Sequence, residues 1–324
     1  MDHLSARRMA GLLLLGIAAA LLAWVVSASA LPGVTRIVTL AGAAMALNLL
    51  IGNAGMVSMG HGLFLGLGAY VVAVSNVKHG VAVGWGALGA MAAALVIATI
   101  AGAIALRARA LFFALLTLAL GQVAFVFVAR NYTLTGGDDG LVGISLPGWL
   151  DNDVAPHLLA VGVTTLLCLV LMVLLASPFG ATLRAVRDNR NRVASLGGNP
   201  IMYEFAAFVI AGFLGAVSGI VAAVTDRAVE PTLISWTTGA TLLVMVALGG
   251  RFTFYGPIIG VVILELARTW VQAHSTHADL VVGTLVVICA IAFPEGIVQQ
   301  VRDLLARLRG RDGEPTSTGD PRAA

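Results

Sequence analysis

The chain has 324 residues, of which 59% are hydrophobic and 11% charged; ordinary soluble domains carry about 25% charged residues, so lipid is the main solvent. A formal charge of +3 is too small to demand a nucleic-acid partner, and 2 cysteines, Cys168 and Cys289, both in apolar runs, exclude a disulfide framework or a cysteine metal cluster. The 38 glycines suit helices that approach closely through small residues.

In chain order, Arg7 and Arg8 precede an apolar run from Met9 to Ala30. Ala28-Ser29-Ala30 has the form of a signal-peptidase site, but the run exceeds the roughly 7–15 residues of a signal h-region, so a retained first span is expected. Further spans are expected at Ile37 to Gly52, Met56 to Val74, Val81 to Leu106, Leu111 to Ala129 and His157 to Ala176. Phe205 to Val224, Pro231 to Gly250, Tyr255 to Arg268 and Asp279 to Phe293 complete about ten, the shorter ones tilted, broken or re-entrant. The expected fold is an all-α integral membrane protein. Its segments are 1–36 with the first span, a core over 37–301 and a basic, then polar tail over 302–324.

Charge orients these spans. With the N-terminus inside and strict alternation, Arg36, Lys78, Arg130, Arg227 and Arg268 fall outside, and the other 14 of the 19 basic residues fall inside. Both termini are then cytoplasmic. Trp85, Trp149, Trp236 and Trp270 all fall near the outer interface, where amphipathic rings are favoured.

Four stretches interrupt the apolar pattern. Asn53 to Gly62, NAGMVSMGHG, opens the third span with Ser58 and His61 among glycines; Gly62 and Gly66 form a GxxxG pair. The plain reading is close helix packing. The functional one is a translocation path lined by Ser58, Gly60, His61, Gly62, Thr117 and Gln122. Thr135 to Gly140, TGGDDG, lies in the long outer loop and reads as a tight turn; Gly136, Gly137, Asp138 and Asp139 are candidates for docking a soluble delivery protein. Gly249 to Pro257 reads as a hairpin between closely packed helices, with a second GxxxG pair at Gly256 and Gly260. Glu265, the one acid in its run, is expected to pair locally with Arg268.

The fourth stretch, 177–204, is the least apolar. It reads as a single capped helix: Ser177 at the N-cap, Pro178 in the first turn, Gly197 and Gly198 at the C-terminal stop, and Pro200 preventing continuation. Leu183, Val186, Val193 and Leu196 fall near one face, and Asp188 is spaced to pair with Arg184 and Arg192. A basic amphipathic helix between two spans lies flat on the membrane or docks in a partner's groove.

Taken together, GNAGMVSMGHGLFLGLGAY (52–70), RARALFFALLTLALGQ (107–122) with TGGDDGLVGI (135–144), SPFGATLRAVRDNRNRVASLGGNP (177–200) and VALGGRFTFYGPIIG (246–260) resemble the permeases of branched-chain amino acid ABC transporters of the LivM type. The resemblance spans roughly Ile37 to Val301. It implies an importer subunit in the bacterial inner membrane, working with a second, LivH-like permease, two ATPase subunits and a periplasmic substrate-binding protein. It also implies that 177–200 is the loop that couples to the ATPase, with Pro178, Phe179, Gly180, Leu183, Arg184, Arg187 and Asp188 as candidate coupling residues. The family commonly has an acidic residue near Arg190, a basic one near Glu204, Gly at Phe252 and a basic residue at Glu295, where this chain departs.

No Gly-Lys-Ser/Thr loop exists, the sole lysine being Lys78, so ATP and magnesium are expected on a partner ATPase, with no cofactor or metal on this chain. No HExxH and no Ser/His/Asp set in polar loops supports an enzyme. Alternatives to a branched-chain amino acid permease are a permease for urea or short amides, and a secondary transporter, which wants clustered ionisable groups at mid-membrane.

Overall fold

The computed structural model describes residues 3–152, 154–274, 283–284 and 296–300, with side chains from Met9 onward. Of the expected span at Asp279 to Phe293 all but 283–284 lies outside the described residues, as does the tail from Arg302.

Helix α1 (His3–Val25) is followed by α2 (Leu31–Asn48), which runs into a π-wound turn at Leu49–Ala54. After a non-helical stretch come α3 (Gly62–Ala73), ending in a π turn at Val74–Lys78, then α4 (Val83–Ala105) and α5 (Leu111–Arg130). A short α6 (Tyr132–Thr135) lies in the long loop before α7 (Ala155–Ala176). Helices α8 (Pro178–Asp188) and α9 (Arg190–Ser195) lead to α10 (Pro200–Asp226), α11 (Trp236–Gly249) and α12 (Gly256–His274). Prolines 32, 156, 178 and 200 stand in the first turn of α2, α7, α8 and α10, where a missing N–H costs no helical bond.

Among the described residues six helical stretches are long and apolar enough to cross a membrane: Leu31–Ala54, Val83–Ala105, Leu111–Arg130, Ala155–Ala176, Pro200–Asp226 and Gly256–His274. Met9–Val25, Gly62–Lys78 and Trp236–Gly249 are shorter apolar helices. All four tryptophans expected at the outer interface are exposed.

Helix α10 is the axis, packed against α2, α3 and α4. It meets α3 backbone to backbone: a Cβ on Gly219 would strike the Leu65 carbonyl, and one on Gly68 the Ala216 carbonyl. Phe208 of α10 stands edge-on to Phe64 of α3 and Phe113 of α5, with ring centroids 5.6 and 5.9 Å away. Helix α1 joins through α7, where Gly16 lies against Thr165 and His157 Nε2 is 3.0 Å from the Ala19 carbonyl. The predicted α11–α12 hairpin is equally tight, a Cβ on Gly260 falling on the Met245 carbonyl and one on Gly249 on that of Gly256.

The fold is not wholly α. Leu141–Val142 and Ala228–Val229 form a two-stranded antiparallel ribbon, Leu141 opposite Val229, which ties the long loop to the end of α10. Nearby the Asn76 carboxamide accepts from Ser145 N (2.8 Å) and donates to the Val81 carbonyl (2.9 Å), fixing the same loop to the end of α3. Glu265 pairs with Arg36 of α2 at 3.5 Å rather than with Arg268, because α12 packs along α2 and the face of Glu265 is buried there.

Candidate coupling and translocation site

Among the described residues, two departures from continuous membrane helix touch each other. The first is the stretch between α2 and α3. Met56 to Val74 was expected to be one helix; instead 55–61 is unwound and α3 starts at Gly62. Gly55 has φ +71°, a conformation that a Cβ disfavours, and it ends the π turn. The unwound residues are clamped by small ones. Gly60 lies on the Thr117 carbonyl of α5, Gly239 of α11 on the Met59 carbonyl, and a Cβ on Gly62 would be 2.8 Å from the Ser235 carbonyl oxygen. Met59 N donates to Thr117 Oγ1 at 3.2 Å.

The break collects polar atoms in an apolar interior. Ser58 is 1% exposed and His61 0%, yet Ser58 Oγ and both ring nitrogens of His61 have no protein partner among the described residues. His61 stands against Gly215 of α10 and edge-on to Phe64. Gln122 Oε1 and Asn48 Oδ1 are likewise buried without a partner. The first turns of α3 and α11 lie side by side here, since a Cβ on Gly62 would be 3.2 Å from both Leu233 O and Gly239 N. Helix N-termini present N–H groups and positive dipole ends, which suit a carboxylate.

The second feature is the turn region 177–199. The chain leaves α7 at Ser177 and turns sharply: a Cβ on Gly180 would strike the Leu175 carbonyl oxygen and lie 2.6 Å from Leu175 Cα. Pro178 occupies the first turn as expected, and Gly197 is left-handed at φ +85°. Ser177 holds the N-cap position, but its hydroxyl donates back to the Leu174 carbonyl at 2.7 Å instead of accepting from α8. The expected single helix is two. Asn189 is extended, and its side chain caps α9 by accepting from Arg192 N at 2.9 Å. The break rotates the second half, so Leu183, Val186 and Val193 are buried while Leu196 is 83% exposed. Phe179 stacks obliquely on Tyr203 of α10, with centroids 5.7 Å apart.

The arginines are also placed differently from their spacing. Arg184 donates to the Leu175 carbonyl at 3.0 Å and Asp188 pairs with Arg187 at 2.8 Å, so neither expected pair, Arg184–Asp188 or Asp188–Arg192, forms. Arg187 turns inward and donates to the Gly52 carbonyl at 2.5 Å. Its guanidinium lies 5.3 Å from the Phe252 ring, which Arg251 also covers at 4.7 Å. Ala181, Ala185, Asp188, Asn191 and Arg192 remain exposed on the other face.

The profile of the protein family described as "Branched-chain amino acid transport system / permease component" matches residues 29–291. The chain belongs to this family. It is 27% identical over 296 residues to the LivM permease protein of the high-affinity branched-chain amino acid transport system of Escherichia coli (strain K12), a match covering 82% of this chain and 69% of that one. It is 26% identical to the LivM protein of Salmonella typhimurium with the same coverage, and 24% identical over 172 residues to a probable LivM of Methanocaldococcus jannaschii, covering 51% and 49% of the two chains. No solved structure matches. The relatives are transport permease components rather than enzymes, and the several apolar helices make this permease an integral membrane protein.

Arg190 at the start of α9 and Glu204 in α10 form an ion pair at 3.2 Å, which ties the turn region to α10. Sequence reasoning treated them separately because 13 residues and a helix break lie between them.

The outer-loop candidates divide by exposure. Gly136 and Gly137 have φ of +79° and +61° and build the turn, Gly137 packed on the Tyr132 ring. Asp138 and Asp139 are exposed, Tyr132 reaching Asp138 at 3.3 Å. Sequence reasoning missed the 231–235 segment, which dips beside α3 so that a Cβ on Gly66 would strike Ile234. The signal was Pro231 and Ser235 inside an apolar run.

Proposed function

We propose that this permease is a translocation subunit of an ATP-driven importer for branched-chain or related hydrophobic amino acids in the bacterial inner membrane. In this reading both termini are cytoplasmic and about ten helices cross the bilayer, some of them broken. A second, LivH-like permease, two ATPase subunits and a periplasmic binding protein complete the assembly, with ATP and magnesium on the ATPases.

The observation that carries the reading is the placement of α8. It is a short helix outside the apolar spans, seated on the permease by Leu183 and Val186, and its opposite face is free for a partner. Nucleotide-driven movement of that partner displaces α8, and the helices re-pack to close one gate and open the other. Gly180 and Phe179 fix the angle at which α8 leaves α7.

The solute path follows the break at 55–61. A zwitterion needs a carboxylate partner and an ammonium partner but no fixed net charge. The first turns of α3 and α11 serve the carboxylate, and the unpaired Ser58, His61 and Gln122 atoms serve as hydrogen-bonding groups. Thr117 positions the unwound backbone through Met59 N. On the outer side Asp138 and Asp139 form part of the surface that receives the binding protein.

The test is purification of the tagged permease from its native membrane. Recovery of an ATPase chain, and leucine uptake that follows ATP in reconstituted vesicles, is expected. Uptake that follows a proton or sodium gradient and ignores ATP would remove the importer reading.

A further inference from the structure

Arg187 lies on the coupling helix, yet its side chain is turned into the permease. It meets three pieces of structure there. Its Nη1 donates to the Gly52 carbonyl, in the π turn that ends α2. Its aliphatic stem lies on Gly55, the left-handed residue that starts the unwound stretch; a Cβ on Gly55 would be 2.7 Å from Arg187 Cγ. Its guanidinium faces Phe252 in the turn between α11 and α12, and a Cβ on Gly52 would strike the Arg251 carbonyl of that same turn. Asp188 anchors the guanidinium on its own helix, through a bond from Arg187 Nε at 2.9 Å. A cation at a helix C-terminus is favoured by the dipole, and the bond is charge-assisted, so it resists being pulled apart.

From these contacts we infer that Arg187 is the positioning link that carries displacement of α8 to the 55–61 break, and is not a contact to the ATPase. The inference rests on the coupling role proposed for α8. Movement of α8 pulls on the Gly52 carbonyl and shifts Gly55. The shift passes from Gly55 along the chain to Ser58 and His61, because residues 55–61 are not wound into a helix that would absorb it. The neighbouring Arg184 has no such reach; its bond to Leu175 closes the corner with α7.

The experiment uses Val57, which is 38% exposed within the break. Val57→Cys, in a background with Cys168→Ala and Cys289→Ala, is labelled with a soluble maleimide in the full complex, with and without ATP and vanadate. Labelling is expected to change with nucleotide. Adding Arg187→Ala abolishes that change and lowers leucine uptake per ATP hydrolysed by roughly tenfold or more, the scale of one charge-assisted hydrogen bond. Arg187→Lys, which keeps a cation near Gly52, restores part of both. A purely structural cap would lower thermal stability in Arg187→Ala and leave the nucleotide response intact, which overturns the inference. Loss of ATPase co-purification in Arg187→Ala also overturns it, by making Arg187 an ATPase contact. If the Val57→Cys protein with Arg187 intact shows no nucleotide response and recovers no ATPase, the coupling role of α8 fails and the link with it.

Discussion

Gly180 offers a sharp perturbation because one methyl group decides it. The α7–α8 corner is closed so tightly that a Cβ at Gly180 would strike the Leu175 carbonyl oxygen and lie 2.6 Å from Leu175 Cα and 2.7 Å from its carbonyl carbon. All three atoms belong to the backbone, so no rotamer change relieves the clash; α8 must swing outward. Overpacking of this kind costs about 1–3 kcal/mol. The swing also stretches the 3.0 Å bond from Arg184 to the Leu175 carbonyl and lifts the buried Leu183 from its seat. We expect Gly180→Ala to insert normally, to melt earlier in detergent and to lose most of its uptake per ATP hydrolysed. Gly162→Ala is the control: it lies on α7, nothing stands within 4 Å of its added Cβ, and helix propensity favours alanine there by up to about 1 kcal/mol. If the two variants melt and transport alike, the corner does not set the position of α8 and the reasoning fails.

A cysteine at Asp139 should label from the periplasm and one at Asn189 only from the cytoplasm; labelling of Asn189 from outside would reverse the orientation drawn from the charge bias. Arg190→Glu and Glu204→Arg should each lower the melting temperature, by about 1 kcal/mol in stability, and the double reversal should recover it. Independent effects that simply add would mean the 3.2 Å pair carries no energy. Arg36→Ala should cost about 1–3 kcal/mol by leaving the buried Glu265 carboxylate without its partner, while Arg268→Ala should cost little. The opposite ranking would restore the local pair that the spacing suggests.

Hydropathy made most of the membrane helices legible, and proline and glycine marked their ends: Pro178 and Gly197 stand where the sequence placed them. What stayed hidden were breaks inside apolar or periodic runs. Hydropathy does not register that 55–61 is unwound, because Met56, Val57 and Met59 are as apolar as the helix that follows. The spacing of Leu183, Val186, Val193 and Leu196, in steps of three, seven and three, continues smoothly across Asn189, so the rotation that exposes Leu196 was invisible. Charge pairing failed for the same reason in another form. Arg268 is three residues from Glu265 and easy to see, whereas Arg36 is brought in by the packing of α2 on α12. The unpaired His61 and Ser58 were legible as polar residues in membrane, but only the fold shows that the first turns of α3 and α11 meet beside them.

The central claim is that this permease moves a branched-chain amino acid inward at the expense of ATP. It is tested most directly by uptake of labelled leucine and labelled urea in cells with and without this chain, each with its native binding protein. The account predicts that deletion abolishes leucine uptake and leaves urea uptake unchanged. Unchanged leucine uptake with lost urea or amide uptake would contradict the substrate, and unchanged uptake of both would contradict the role.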